Sequence, residues 1–150
     1  MEIKKNDVID LEITGYTAEG NGVGRYKDIA VFVPLAAAGD RLRVKILKTA
    51  KTYAFGRIDK IVAASKDRVP LDCAQFAQCG GCVYRHIGYQ AELKAKQQRV
   101  RDAIERIGGF HDVEIKPIVG AKDPDHYRNK TQLPIGRGPG NEVRMGFFAS

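Results

Sequence analysis

The chain has 150 residues, 25 basic and 18 acidic, for a formal net charge of +7, and 43% of its residues are hydrophobic. These are the proportions of a soluble globular chain, and the length suits one ordinary domain or two small ones rather than a complete enzyme built on a large α/β domain. Met1 to Asp7 runs straight into charge, and the longest apolar run, Ile29 to Ala38, is interrupted by Pro34, so neither a secretory leader nor a membrane span is expected.

A cytoplasmic location follows as an expectation, in a compartment where clustered cysteines more often hold metal than form disulfides. The positive charge is concentrated. Residues 40–60 carry Arg41, Arg43, Lys45, Lys48, Lys51, Arg57 and Lys60 against only Asp40 and Asp59. A polyanion partner or a well-solvated basic surface would both explain that excess.

Taken in chain order, residues 1–63 read as about five short strands with glycine-rich turns and no helix. Ile9, Leu11 and Ile13 alternate with polar residues, a period of two that buries one face. Gly20-Asn21-Gly22-Val23-Gly24 reads as a turn, and Ile29 to Val33 as a central strand closed by Pro34. After Gly39-Asp40, Leu42, Val44 and Ile46 should point inward while Arg41, Arg43 and Lys45 share the outer face. Three outward cations in a row are costly unless water or phosphate screens them. Phe55 to Val62 completes a small closed or nearly closed β-barrel.

Residues 64–109 form a second unit, made of a polar connector, a cysteine cluster and a helix from about Gly88 to Ile107. Leu93, Val100, Ala103, Ile104 and Ile107 would share its apolar face, with Glu92–Lys96 and Asp102–Arg106 pairs outside and Gly108-Gly109 as the stop. Residues 110–150 return to strands at 113–119, 130–135 and 143–148, the last two joined by a loop over 136–141. The final strand ends without a neighbour, which suggests a fragment of a longer protein. The expected fold class is mainly β with one long helix, an α+β chain.

Cys73, Cys79 and Cys82 fall within ten residues, with Gly80 and Gly81 in the tight part of the loop. Glycines let backbone N–H groups approach sulfur, which suits a thiolate-bound iron–sulfur cluster. Zinc is the rival, with His86 completing a three-cysteine, one-histidine tetrahedron in a non-enzymatic RNA-binding module. A redox pair at Cys79 and Cys82 lacks the βαβ setting it would need.

The order of small barrel, cysteine–five–cysteine–Gly-Gly-cysteine, helix, and Tyr127-Arg128-Asn129-Lys130 opening a strand resembles the ribosomal-RNA 5-methyluridine methyltransferases. The resemblance implies an N-terminal TRAM (OB-like) barrel, a [4Fe-4S] cluster, a central antiparallel RNA-binding subdomain, and an S-adenosylmethionine-dependent Rossmann-like methyltransferase domain that this chain lacks. It implies Cys73, Cys79 and Cys82 as three cluster ligands, with the fourth shortly beyond the Met145–Phe148 strand. Arg128, Lys130 and Gln132 would share a strand face against RNA, joining Arg41, Arg43 and Lys45 of the barrel. An ion pair from Arg128 to Asp123 or Asp125 is the structural alternative. The family's nucleophilic cysteine, general base and methyl-donor pocket have no counterpart here, so no catalytic residue is assigned and the chain alone should be inactive. Gly20, Gly22 and Gly24 resemble the TRAM glycine turn, since Arg25 stands where a dinucleotide loop needs its third glycine. Tyr16, Tyr26, Phe32 and Tyr53 are candidate base-stacking side chains. The implied partner is ribosomal RNA, and a monomer with no membrane association is expected. A radical enzyme that cleaves S-adenosylmethionine would space its cysteines by three and then two.

Overall fold

The computed structural model describes residues 3–148. Six strands form one sheet: β1 (Val8–Glu12), β2 (Gly15–Tyr16), β3 (Gly22–Tyr26), β4 (Ile29–Val33), β5 (Arg41–Thr49) and β6 (Tyr53–Ala63). Their order is β1-β5-β6-β4-β3-β2, antiparallel throughout except for the parallel pair β4–β6. Ile9, Leu11 and Ile13, then Val31 and Val33, then Leu42, Val44 and Ile46 fill a single core with Ile3, Ala36 and Ala54. The period-two expectation for Ile9–Ile13 and Leu42–Ile46 holds residue by residue, because one face of each segment packs into the apolar core.

The glycine segment departs from expectation. The turn is confined to 17–21, where Gly20 adopts φ +85° and its N–H donates to the Thr17 carbonyl at 3.0 Å. Gly22 and Gly24 lie inside β3. The physical reason is a close crossing: a Cβ at Gly24 would overlap the Glu12 carbonyl and the Leu11 side chain. Glycine there lets β3 lie across β1 and curls the sheet into a partly closed barrel.

The β5–β6 hairpin is longer than expected and carries register shifts at Arg41/Leu42, Arg43/Val44 and Ile46/Lys48. Bulges of this kind increase twist, which helps a sheet of this size to curl.

Past the barrel, the helix α1 (Tyr89–Asp102) continues as a π-helical turn over Ala103–Ile107, close to the expected span. Its expected apolar face is not covered: neither α1 nor the π turn contains a buried residue, and Ile107 is 87% exposed. Residues 113–119, expected as a strand, lie beside α1 without strand pairing. They are tied by the Ile118 N–H donating to Gln97 Oε1 (3.1 Å), with the Ala121 N–H donating to the Tyr89 hydroxyl (2.7 Å) just beyond. Of the other two expected strands, 143–148 forms in part as β8 (Val143–Met145), while 130–134 is not a strand and β7 (Ile135–Arg137) takes up the start of the expected loop, making an exposed hairpin with β8. Alternation at 113–119 and 130–135 meets no partner strand, and without one it does not make a ladder. Among the described residues none after Ile87 is buried.

Candidate nucleic-acid interface and cysteine loop

The outer face of β5 and β6 carries the cations. Leu42, Val44 and Ile46 are buried, so Arg41 and Arg43 stand exposed and Lys45 half-buried on the opposite side, as expected. The register adds what the sequence did not order. Arg43 lies opposite Lys60 and Lys45 opposite Arg57 on β6, while β1 sets Glu12 opposite Arg41 and Asp10 opposite Arg43. Like charges facing across a ladder are unfavourable in isolation. Among the described residues no carboxylate lies within ion-pair distance of Lys45, Arg57 or Lys60. The centre of positive charge therefore sits nearer Lys45–Arg57–Lys60 than Arg41, whose rung it shares with Glu12.

Of the four aromatic candidates, two are structural. The Tyr16 hydroxyl accepts from the Ala38 N–H at 2.9 Å while its ring meets Tyr84 edge-on, and Tyr26 packs against the core. Phe32 and Tyr53 instead stand on the outer face with Phe55, which sequence reading treated only as a strand start. The parity of buried Ala54 and Gly56 was the signal that would have found it.

A stem holds the cysteine loop. The Val69 N–H donates to the His86 carbonyl and the Gly88 N–H to the Asp67 carbonyl, with Arg68 and Ile87 bridged between them. Beneath the stem lies Asp40, fully buried, whose carboxylate accepts from the Ala37 N–H (2.7 Å), the Ser65 N–H (2.9 Å), and Arg68 Nε and Nη2 (2.8 and 2.7 Å). Burial alone would raise its pKa, but the guanidinium and the two amides outweigh it and hold the carboxyl below its ordinary value. Arg68 Nη2 also donates to the Leu35 carbonyl, so one side chain joins barrel and stem.

His86 is buried at the same junction. Its Nε2 lies 3.3 Å from the Ala36 carbonyl, which can only accept, so Nε2 carries the proton and Nδ1 is left as a buried acceptor without a donor. Burial pushes its pKa down, keeping the ring neutral. Its ring packs on Phe76, 5.7 Å between centroids. The zinc reading needed His86 beside the cysteines, and the structure turns it instead into the barrel. Among the described residues no three His, Cys, Asp or Glu side chains are gathered as a metal site.

Cys73 and Cys82 are exposed, Cys79 half-buried, and none forms a disulfide. The loop's backbone nonetheless has donor chemistry suited to thiolates: the Gly81 N–H points at Cys79 Sγ, 3.4 Å away. The Gly80 N–H donates to the Phe148 carbonyl (3.2 Å), clasping the loop to the chain leaving β8.

Arg128, Lys130 and Gln132 are all exposed but lie on no strand, so the expected shared face is not formed among the described residues. The expected carboxylate partners go elsewhere. Asp125 pairs with Arg85 (2.8 Å), which also holds Asp72 (2.6 Å) and has its pKa raised by both. Arg128 rests on the Tyr127 ring, 5.9 Å from its centroid.

Residues 3–58 match the TRAM domain family. An uncharacterised RNA methyltransferase of Halalkalibacterium halodurans is 42% identical over 97% of this chain and 32% of its own length, and one from Synechocystis is 37% identical over 97% and 31%. Residues 3–58 thus match a TRAM domain, and nearly the whole chain is similar to proteins named RNA methyltransferases. The chain spans about a third of the length of the curated relatives it matches. A solved tRNA (uracil-54, C5)-methyltransferase of Pyrococcus abyssi, in complex with S-adenosyl-L-homocysteine, is 26% identical over 67% of this chain and 22% of its own, with a TM-score of 0.42. The TRAM match covers most of the β1–β6 unit, and the described residues have the mainly β architecture with one long helix that was expected. Among the described residues no helix is long and apolar enough to cross a membrane.

Proposed function

We propose that this chain is the RNA-positioning and cluster-bearing part of an S-adenosylmethionine-dependent RNA (uracil-5-)-methyltransferase acting on ribosomal RNA in the cytoplasm as a monomer. The observation that carries the RNA-binding reading is the outer face of the TRAM barrel, where Arg43, Lys45, Arg57 and Lys60 adjoin across two strands. Cations so placed bind phosphate regardless of base, which gives affinity and orientation while base choice is made elsewhere. Arg128, Lys130 and Gln132 extend the same role to the 127–134 segment, whose exposed side chains are available to RNA. Uracil as target rests on the likeness of the Cys-Gly-Gly-Cys and Tyr-Arg-Asn-Lys segments. None of the chain's three cysteines is assigned as nucleophile, and methyl-donor binding falls to the length these relatives have beyond it.

Cys73, Cys79 and Cys82 would hold a [4Fe-4S] cluster, with the fourth thiolate outside the chain. The cluster's contribution is structural, since uracil methylation needs no electron. What the chain itself supplies is three soft donors, the Gly81 N–H that lowers the cost of negative charge on Cys79, and the Gly80–Phe148 clasp that draws the stretch after β8 towards the loop.

Two measurements test these parts separately. Single-stranded ribosomal RNA segments should bind the chain at low salt, with log affinity falling linearly against log salt. Absence of binding at 50 mM salt would overturn the RNA-binding reading. Anaerobic purification of the protein carried on to its fourth thiolate should yield iron and sulfide with broad visible absorption, lost in Cys79→Ser. A colourless protein holding one zinc would overturn the cluster instead.

A further inference from the structure

Phe32 on β4 and Tyr53 and Phe55 on β6 form an aromatic cluster outside the core. Val31, Val33 and Ala54 are buried, so strand parity sends these three rings to the opposite face. Their centroids lie 5.5 to 5.8 Å apart, Tyr53 meeting Phe55 edge-on and Phe32 tilted to both. Tyr53 and Phe55 are each 39% exposed. Three clustered rings kept on the outer face of a barrel that already has a full core call for something to lie on them.

The surroundings say what. Lys48 lies opposite Phe55 on β5, and the next rungs pair Lys45 with Arg57. On its other side Phe32 lines a groove of about 970 Å³ between the barrel and α1, whose helix wall carries Lys94 and Arg99. Neither of those two makes an ion pair among the described residues, although Glu19, whose pKa is lowered chiefly by its own backbone N–H, also feels Arg99, and Asp67 and Asp102 line the groove as well. Apolar flat faces bordered by cations, most densely on the β5 side, complement a strand that alternates flat bases with phosphates. Duplex RNA hides its base faces, and an apolar protein surface would leave the cations without a counterpart. Neighbouring strands are about 4.8 Å apart, so a base lying on the rings sets its own phosphate over the β5 lysines.

We propose that Phe32, Tyr53 and Phe55 are a stacking platform for an unpaired RNA base, whose flanking phosphates are taken by Lys45, Lys48 and Arg57 on one side and Lys94 and Arg99 on the other. This rests on the RNA-binding reading above and adds to it a preference for single strands that phosphate contacts alone do not give.

The probes are an eight-nucleotide oligouridylate and an abasic ribose-phosphate oligomer of the same length, each titrated against the 150-residue protein at low salt. The wild type should bind the oligouridylate at least tenfold more tightly. Tyr53→Leu with Phe55→Leu should weaken oligouridylate binding about tenfold or more while leaving abasic binding and the thermal midpoint unchanged. Equal binding of both oligomers by the wild type, or equal weakening of both in the variant, overturns the platform alone. Failure of the wild type to bind either oligomer overturns the RNA-binding reading and the platform with it. Because the chain contains no tryptophan, Tyr53→Trp supplies a single reporter that does not depend on the leucine variant folding. Its emission should be quenched by oligouridylate and not by the abasic oligomer, and quenching by both or by neither overturns the platform.

Discussion

Asp40→Ala is expected to lower the thermal midpoint of the chain by roughly 10 °C or more, the largest stability effect of any single substitution we foresee. Asp40 is fully buried and accepts four hydrogen bonds, two of them from Arg68, whose side chain is only 18% exposed. Removing the carboxylate strands a nearly buried guanidinium and two amide donors. Breaking such a pair from one side costs about 3–5 kcal/mol. For a chain of this size each kcal/mol corresponds to about 2–4 °C. Differential scanning calorimetry of Asp40→Ala, Arg68→Ala and the double variant gives the coupling directly, and the double variant should be no worse than the worse single one. A loss of only a degree or two would mean that the stem is not anchored here. Acid unfolding adds the sign. A carboxyl whose pKa is lowered by folding contributes stability that is fully present above its unfolded value of about 3.9 and is lost as pH falls through the folded value. His86, also lowered, contributes stability present above its unfolded value of about 6.5 and lost below it as the buried ring is forced to take a second proton. Stability should therefore decline in two stages, the first flattened in His86→Phe and the second in Asp40→Asn.

The second large effect is on RNA. Lys45, Arg57 and Lys60 replaced together by glutamine should weaken binding to single-stranded RNA about a hundredfold at 50 mM salt and reduce the slope of log affinity against log salt by about 2, since each lost phosphate contact removes roughly 0.7. Arg41→Gln should do much less, because Glu12 faces it across the ladder. The triple variant should melt no lower than the wild type, since the Lys45–Arg57 and Arg43–Lys60 rungs are like-charged and the glutamines relieve them. An unchanged salt slope would show that RNA binds elsewhere on the chain.

How far the sequence foretold this depends on where each residue's partners lie. Leu42, Val44 and Ile46 announced their inward face because strand parity is local, and Arg41, Arg43 and Lys45 followed from it. The cationic centre did not, because it depends on which residues of β6 lie opposite, and that register includes three shifts. Asp40 read as part of a tight turn. Its anchoring role depends on Ser65 and Arg68, 25 and 28 residues away. Gly22 and Gly24 read as turn residues because glycine suits a turn and a close strand crossing equally well. The alternation at 113–119 was real, but a pattern cannot show whether a partner strand exists. Three closely spaced cysteines were plain to read, and only the fold could show that His86 turns away from them.

The missing core beyond Ile87 divides the chain thermodynamically. Ordering the backbone costs on the order of 1–2 kcal/mol per residue, and in the described residues from Gly88 onward only partly buried side chains offset it. The cluster proposed for the cysteine loop, clasped to the chain at Phe148, would stabilise the ordered state of that half in proportion to RT ln(1 + [L]/Kd). Amide protection after Gly88 would then rise with cluster occupancy, while that of the barrel would not.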